Sequence, residues 1–220
     1  MRRVLRDNAL SLTMFGLFLT FLVAQSIAGY RTTNSDSAEH GQPPESYAGY
    51  LTSGAFVEAT FENWESEFLQ MGAYVLLTAW LIQKGSPESR KPEGNESDAD
   101  PRAERDSPDA PGPVRRGGLA LTLYEHSLST ALFALFLLSF VLHALGGRAE
   151  YNQQQLEHGQ AAVSLWGFVT SSAFWFQSMQ NWQSEFLAVA ALTVLGIFLR
   201  QRGSPESKPV AAPHAETGSG

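Results

Sequence analysis

The stretch Leu10–Ala28, LSLTMFGLFLTFLVAQSIA, contains 19 residues without a charged side chain and decides the class of fold. A second apolar stretch, Ser127–Gly147, has His143 as its only titratable group. About 20 apolar residues in a helix cross the ~30 Å hydrocarbon core of a bilayer. A soluble domain would instead distribute its apolar residues at the period of a helix or a strand. The sequence therefore predicts an integral membrane protein.

Two shorter apolar runs, Phe68–Ile82 and Phe186–Leu199, contain 15 and 14 residues. As helices they are only about 21–23 Å long. They span the membrane if the preceding Glu67 and Glu185 enter its edge, or if the bilayer thins locally. A helix-stop pattern of a cation, a glycine and a proline follows each run, at Lys84–Pro87 and Arg202–Pro205. We predict four spans, at about residues 10–28, 64–83, 127–147 and 182–200.

The chain superposes on itself without a gap when it is shifted by 118 residues. Between Asp7–Ser89 and Glu125–Ser207, 34 of 83 positions are identical, which indicates a duplication. The sequence predicts two repeats, at 1–89 and 119–207. It also predicts a disordered linker at 90–118 and a disordered tail at 208–220, because both are rich in Pro, Ser and charged residues and poor in large apolar ones.

The distribution of Lys and Arg predicts the topology. These residues cluster at the N-terminus, in the central linker and after the last span, whereas the two remaining connections hold only Arg31 and Arg148. The positive-inside rule then places both termini and the linker in the cytoplasm, and both repeats insert the same way up. The first run also fits a cleaved signal peptide. Recurrence of the same segment at 127–147 favours a retained helix.

The predicted fold is therefore all-α: an integral membrane four-helix bundle built from two tandem, parallel two-helix repeats. An aromatic stretch precedes the second span of each repeat, and aromatic rings favour the headgroup level. In the first copy this stretch also carries carboxylates that are costly at membrane depth, namely Glu45, Glu58, Glu62 and Glu65. We predict an outer interfacial helix leading into each second span, with a re-entrant segment as the alternative.

Polar residues near the outer ends of the spans form a predicted cluster. If the lead-in is helical, each Asn shares a face with the Glu four residues later, and antiparallel packing brings that Glu to the depth of a Gln or a His. The cluster comprises Glu67, Glu185, Asn63, Asn181, Gln25 and His143. Ionisable groups in spans are functional candidates, and a His–Glu pair can relay protons or bind a cation. The structural alternative is helix capping by Glu and hydrogen bonding between helices by Asn.

The outer loops carry a second set of candidates in two copies of one motif, Glu39-His40-Gly41-Gln42 and Glu157-His158-Gly159-Gln160. Two adjacent ligands in each loop are too few for a recognised metal site. We therefore expect the polar side chains, Glu39, His40, Glu157 and His158, to hydrogen-bond to the opposite repeat. No metal and no cofactor are predicted.

Composition excludes several classes of function. The absence of Cys excludes disulfides and thiolate chemistry, and a net charge of -7 argues against nucleic-acid binding. No nucleophile–base set is visible, so an enzyme is not expected. The sequence predicts a non-enzymatic structural or interaction protein of the cell envelope. Its expected partners are the lipid bilayer and a second copy or another membrane protein. The alternative is a small transporter or pore for a proton, a cation or a small solute, which would use the polar cluster.

The loop motif EHGQ, the segment NWQSEFLA at Asn181–Ala188 and the segment RGSPES at Arg202–Ser207 resemble a bacterial family of tandem-repeat membrane proteins. That family is catalogued as a domain of unknown function. The resemblance covers nearly the whole chain except the linker and the tail. It implies a four-helix architecture in the bacterial cytoplasmic membrane, and it implies no activity.

Overall fold

The structure, a computed structural model, describes residues 2–86, 88–90 and 99–213 of the 220-residue chain. It is all-helical, with 72% of residues in helices, and no strand occurs among the described residues. The all-α prediction is confirmed. The helices are α1 Arg2–Asp7, α2 Ala9–Glu39, α3 Tyr47–Tyr50, α4 Gly54–Trp80, α5 Gly112–Arg116, α6 Gly118–Glu125, α7 Ser127–Glu157, α8 Leu165–Val169 and α9 Ser172–Phe198.

Three of these helices, α2, α7 and α9, are long and apolar enough to cross a membrane. In their most apolar windows only 6%, 17% and 11% of the residues are buried inside the protein. Helices that are apolar on all sides and yet unburied are stable in lipid and not in water. The prediction of a membrane protein is thereby supported at the level of three helices.

Helix α4 is missing from this set although its length equals that of α9, at 27 residues. Its first half carries the acidic residues Glu58, Glu62, Glu65 and Glu67. These carboxylates lower the hydropathy of every window that would be long enough to span. The shortness of the second apolar run, noted from the sequence, has the same origin.

The lead-in and the apolar run form one continuous helix in each half of the chain. Ser53 Oγ accepts a hydrogen bond from Phe56 N, and Ser171 Oγ accepts one from Phe174 N, both at 3.3 Å. Such N-caps satisfy free backbone donors, so the helices begin about ten residues before the predicted spans. They end at Trp80 and Phe198, before the cation–Gly–Pro pattern that was predicted to stop them.

The chain divides into two compact units. The first comprises residues 1–60 and 142–168, and it is held together by close backbone approach. A Cβ atom on Gly146 would lie 2.7 Å from Glu58 N, and one on Gly54 would lie 2.6 Å from Glu150 N. Glycine at these positions therefore allows the start of α4 to pack directly against the end of α7.

The second unit comprises residues 61–141 and 169–220. Its helices pack through aromatic rings: Phe140 of α7 meets Phe174 edge-on at 5.3 Å between centroids, and Phe136 meets Trp182 at 6.2 Å. Gly72 of α4 leaves room for the ring of Phe133, which would lie 3.3 Å from an added Cβ. This unit brings α4 and α9 together and positions most of the predicted cluster.

The described part of the predicted linker, residues 99–118, contains a 3-10 helix at Pro101–Glu104 and helix α5. Ala110 and Val114 form a small apolar cluster there with Leu121 of α6. Residues 91–98 of the predicted linker and 214–220 of the predicted tail lie outside the described residues.

Candidate functional site

The EHGQ motif ends a long helix in both halves of the chain. After α2, Gly41 has φ +68° and Gln42 N donates to Ser37 O at 2.8 Å. After α7, Gly159 has φ +70° and Gln160 N donates to Gln155 O at 2.8 Å. A left-handed glycine with a six-to-one backbone hydrogen bond is a Schellman cap. Helix termination therefore accounts for the glycine and its place in the motif.

The histidines of the motif belong to the same caps. His40 Nδ1 lies 2.8 Å from Asp36 O, and His158 Nδ1 lies 2.8 Å from Gln154 O. Among the residues that the structure describes, no three His, Asp or Glu side chains are grouped so as to hold a metal ion. Glu39 is exposed at the end of α2.

The two motifs meet in the first unit. Gln42 Nε2 donates to Glu157 Oε1 at 3.0 Å, which is a contact between the two predicted repeats. A cavity of about 250 Å³ lies between the ends of α2 and α7, and both histidines line it.

Two asparagines that the sequence analysis did not single out hold the loops after α2 and α7 in place. Asn34 Oδ1 accepts from Glu45 N at 2.7 Å, and its Nδ2 donates to Glu45 O at 3.3 Å. Asn152 makes the same pair of bonds with Val163, at 2.7 and 3.0 Å. The available signal was their separation of 118 residues, the shift that superposes the two halves of the sequence. Each is a side-chain clamp on a loop backbone.

Gln25 and His143, the first-span members of the predicted cluster, lie in the first unit. Gln25 Nε2 donates to Thr60 Oγ1 at 3.5 Å. Thr60 lies in α4, seven residues before Glu67. His143 is 0% exposed within α7.

The second unit holds the remaining members together with two carboxylates that were not in the predicted cluster. Asn181 Nδ2 donates to Glu62 Oε1, and Trp182 Nε1 donates to Glu65 Oε1 at 3.0 Å. Glu67 lies close enough to Glu185 for their charges to repel each other. We call Glu62, Glu65, Glu67 and Glu185 the acidic cluster. Asn63 and Glu67 are both exposed.

Glu65 is the most deeply placed member of the acidic cluster, because its side chain is 0% exposed. The indole of Trp182 that donates to it is itself positioned by Phe136 and Trp175, whose ring centroids each lie 6.2 Å away. One turn earlier on α9, Ser178 Oγ is buried and has no hydrogen-bond partner within the described residues. Buried polar groups normally have partners, so this hydroxyl is free to hydrogen-bond to a small ligand.

In the sequence, Glu62 and Glu65 were interpreted only as evidence that this stretch does not lie at membrane depth. Helix α4 carries these two carboxylates, whereas the matching residues 180 and 183 of α9 are glutamines.

A model of the family described as a domain of unknown function, DUF6766, matches residues 1–219. The chain belongs to the DUF6766 family. The predicted resemblance to a domain of unknown function is thereby confirmed. No curated protein and no solved structure matches this DUF6766 chain.

Proposed function

We propose that this DUF6766 chain is a four-span protein of the bacterial cytoplasmic membrane, built from two tandem hairpins with both termini in the cytoplasm. The helix bounds support the duplication: α2 and α7 differ by 118 residues at both ends, and so do α4 and α9. The Lys and Arg distribution supports the orientation. In this arrangement α4 is the fourth span, and the aromatic starts of α4 and α9 lie at the outer interface.

We further propose that the protein binds a proton at the acidic cluster and passes it across the membrane. The observation that carries this proposal is the complete burial of Glu65 in a helix that also carries Glu62 and Glu67. Burying a carboxylate costs several kcal/mol in effective free energy, and like charges close together raise that cost. A proton bound to a buried carboxylate removes its charge and offsets this cost.

Several features of the site suit such an occupant. Asn181 and Trp182 supply neutral donors that orient the carboxylates without neutralising them. The buried hydroxyl of Ser178 offers a further oxygen ligand on the same helix. Oxygen-rich sites with carboxylates suit protons.

The test uses the full-length protein reconstituted in liposomes with a trapped pH dye, under an imposed membrane potential, with Na⁺ and K⁺ compared. Wild type should carry flux, and Glu65→Gln should lower the flux by about tenfold or more. The glutamine side chain can still accept the hydrogen bond from Trp182 Nε1. The matched control is Glu104→Gln, on an exposed 3-10 helix. Thermal melts in detergent establish that each variant is folded. Absence of flux in wild type, or unchanged flux in folded Glu65→Gln, overturns the proposal.

A second candidate is a structural or interaction protein of the envelope, and one observation favours it. Ser26 is the single buried residue of α2, whose large apolar side chains are almost all exposed. That surface is available to lipid or to another membrane chain. Cross-linking of single-cysteine variants along α2 separates the two: a discrete oligomer supports an interaction role, and its absence leaves lipid as the neighbour.

A further inference from the structure

The GSPES loops after α4 and α9 fold back on their helices in the same way. Ser89 Oγ accepts from Gln83 N at 3.0 Å and donates to Gln83 O at 2.9 Å. Ser207 makes the equivalent bonds with Gln201, at 2.9 and 3.2 Å. A left-handed glycine opens each loop, with φ +93° at Gly85 and +85° at Gly203. Each loop therefore places its glutamate beside the end of its own helix.

These two glutamates, Glu88 and Glu206, meet in the second unit, and we call them the carboxyl pair. Their carboxyl groups lie within hydrogen-bonding reach of each other, and Tyr74 Oη of α4 donates to Glu88 Oε2. Tyr74 Oη also lies 3.3 Å from Thr193 Oγ1 of α9. The hydrogen bond with Glu88, together with burial and the charge of Glu88, raises the pKa of Glu206 to about 6.

Two cationic residues flank the carboxyl pair. Arg90 follows Glu88 and donates its backbone N–H to Thr78 O at 3.1 Å. Lys208 follows Glu206, and its Nζ donates to Pro213 O at 2.6 Å. The group that acts on the pKa of Glu206 is Glu88, and both carboxylates act on the pKa of Tyr74.

A row of polar side chains on α4 leads from the acidic cluster to the carboxyl pair. From the middle to the end of α4, a polar residue recurs at every fourth position, at Glu62, Ser66, Gln70, Tyr74 and Thr78. Each residue of this row neighbours the next on the helix surface, and the row winds gradually around the helix over a length of about 24 Å. We call this row the polar stripe.

The inner part of the polar stripe faces a cavity of about 390 Å³ between α4 and α9. Gln70, Tyr74 and Thr78 line it from α4, and Thr193 lines it from α9. Gln70 is only 5% exposed, and it lines this cavity. A buried amide beside a cavity of this size suits water or a polar ligand inside it.

We propose that the carboxyl pair is a proton-binding site at the cytoplasmic end of the protein, connected to the acidic cluster by water in this cavity and by the polar stripe. A hydronium ion gives its proton to a carboxylate of the pair, which forms an O–H bond and releases water. The hydrogen-bonded partner carboxylate and Tyr74 stabilise the singly protonated state. Proton binding stands on the local geometry alone. Its connection to transport rests on the proposed function.

The first experiment is an infrared titration of the carboxyl C=O band in the full-length protein in lipid nanodiscs. Wild type should show a carboxyl group that titrates at about pH 6. The Glu206→Gln variant should lose this transition, and Glu88→Gln should move it towards the ordinary Glu value of 4.5. Glu104→Gln and Tyr124→Phe, both at exposed sites, are the matched controls. A transition that Glu206→Gln and Glu88→Gln leave unchanged overturns the site.

The second experiment separates this site from the proposed function by measuring proton flux in liposomes. Glu206→Gln should lower flux at pH 6 by about tenfold, as expected for loss of a proton-transfer group. If Glu65→Gln abolishes flux and Glu206→Gln does not alter it, the connection to the carboxyl pair is wrong and the proposed function stands. If wild type carries no flux but the carboxyl titration is present, the proposed function fails and the proton-binding site stands.

A third experiment tests divalent cations, because two carboxylates can also hold a metal ion. The titration is repeated with Mg²⁺ or Ca²⁺ at millimolar concentration. A proton site keeps its transition near pH 6, whereas suppression of the transition by the cation assigns the pair to metal binding and overturns the inference.

Discussion

Helices α4 and α9 have the same length and the same place in the two halves of the chain, yet they carry different chemistry. Where α4 has Glu62, Glu65, Gln70, Tyr74 and Thr78, the positions 118 residues later in α9 are Gln, Gln, Ala, Leu and Gly. Only α9 is apolar enough to be recognised as a span. The comparison teaches that a more apolar sequence adopts the same helix. The polar residues of α4 are therefore not required by its backbone, and their burial costs free energy, so a role beyond folding is the physical explanation.

The largest expected effect comes from giving α4 the residues of α9. The double substitution Glu62→Gln and Glu65→Gln should lower proton flux by about a hundredfold, because the carboxylates that hold the charge are gone. The fold should persist, since glutamine can still accept from Trp182 and Asn181. Liposome flux and detergent melting temperature are measured together. Full flux in the double variant would show that the carboxylates of α4 have no role in transport.

The next effect concerns membrane insertion of the two helices as separate segments. In a translocon insertion assay, residues 172–198 should insert and residues 54–80 should insert much less efficiently. The difference should be about 2 kcal/mol or more, because carboxylates within a span are costly. Glu62→Gln with Glu65→Gln should improve insertion of the α4 segment. Equal insertion of the two wild-type segments would show that the polar residues of α4 do not raise its free energy of membrane insertion.

A smaller effect on stability, equal in both halves of the chain, is expected for the two asparagines that hold the loops after α2 and α7. Asn34→Ala and Asn152→Ala should each lower the free energy of unfolding by about 1–2 kcal/mol, because each leaves two loop backbone groups without their partner. Matched denaturation curves measure this. Unequal effects would mean that the loops after α2 and α7 differ in stability, as α4 and α9 differ in chemistry.

The smallest effect is a pH dependence of stability from the carboxyl pair. The folded protein holds a proton on Glu206 with a pKa of about 6, against 4.5 as the ordinary value. Stability from this proton is present below pH 4.5 and is lost as the pH rises through about 6. Melting temperatures of wild type should therefore fall relative to Glu88→Gln across this window. Parallel curves for the two proteins would contradict the sign.

Much of the fold could be predicted from the sequence. The absence of charge in Leu10–Ala28 and Ser127–Gly147 predicted two membrane helices, and both lie in helices long and apolar enough to span. The starts of α4 and α9 were predicted only as lead-in segments. Their continuity with the apolar runs depends on the serine caps at Ser53 and Ser171, which are weak local signals beside a long hydrophobic run.

The candidate sites were harder to predict from the sequence. Glu67 and Glu185 were predicted to be members of one cluster, and the structure places them near each other. The carboxyl pair was not predicted, because Glu88 and Glu206 are far apart in sequence and each lies in a loop that looks like a simple helix stop. The period of four between polar residues on α4, and its absence from α9, was a signal that sequence analysis could have used.

The amino-acid sequence by itself determined that this protein is helical and built for a membrane, because solvation of each segment depends on its own residues alone. The tertiary structure decided which polar groups meet: Glu65 with Trp182, Gln42 with Glu157, and Glu88 with Glu206. Such pairs depend on the packing of distant segments, and a side chain's charge state depends on the neighbours that packing supplies.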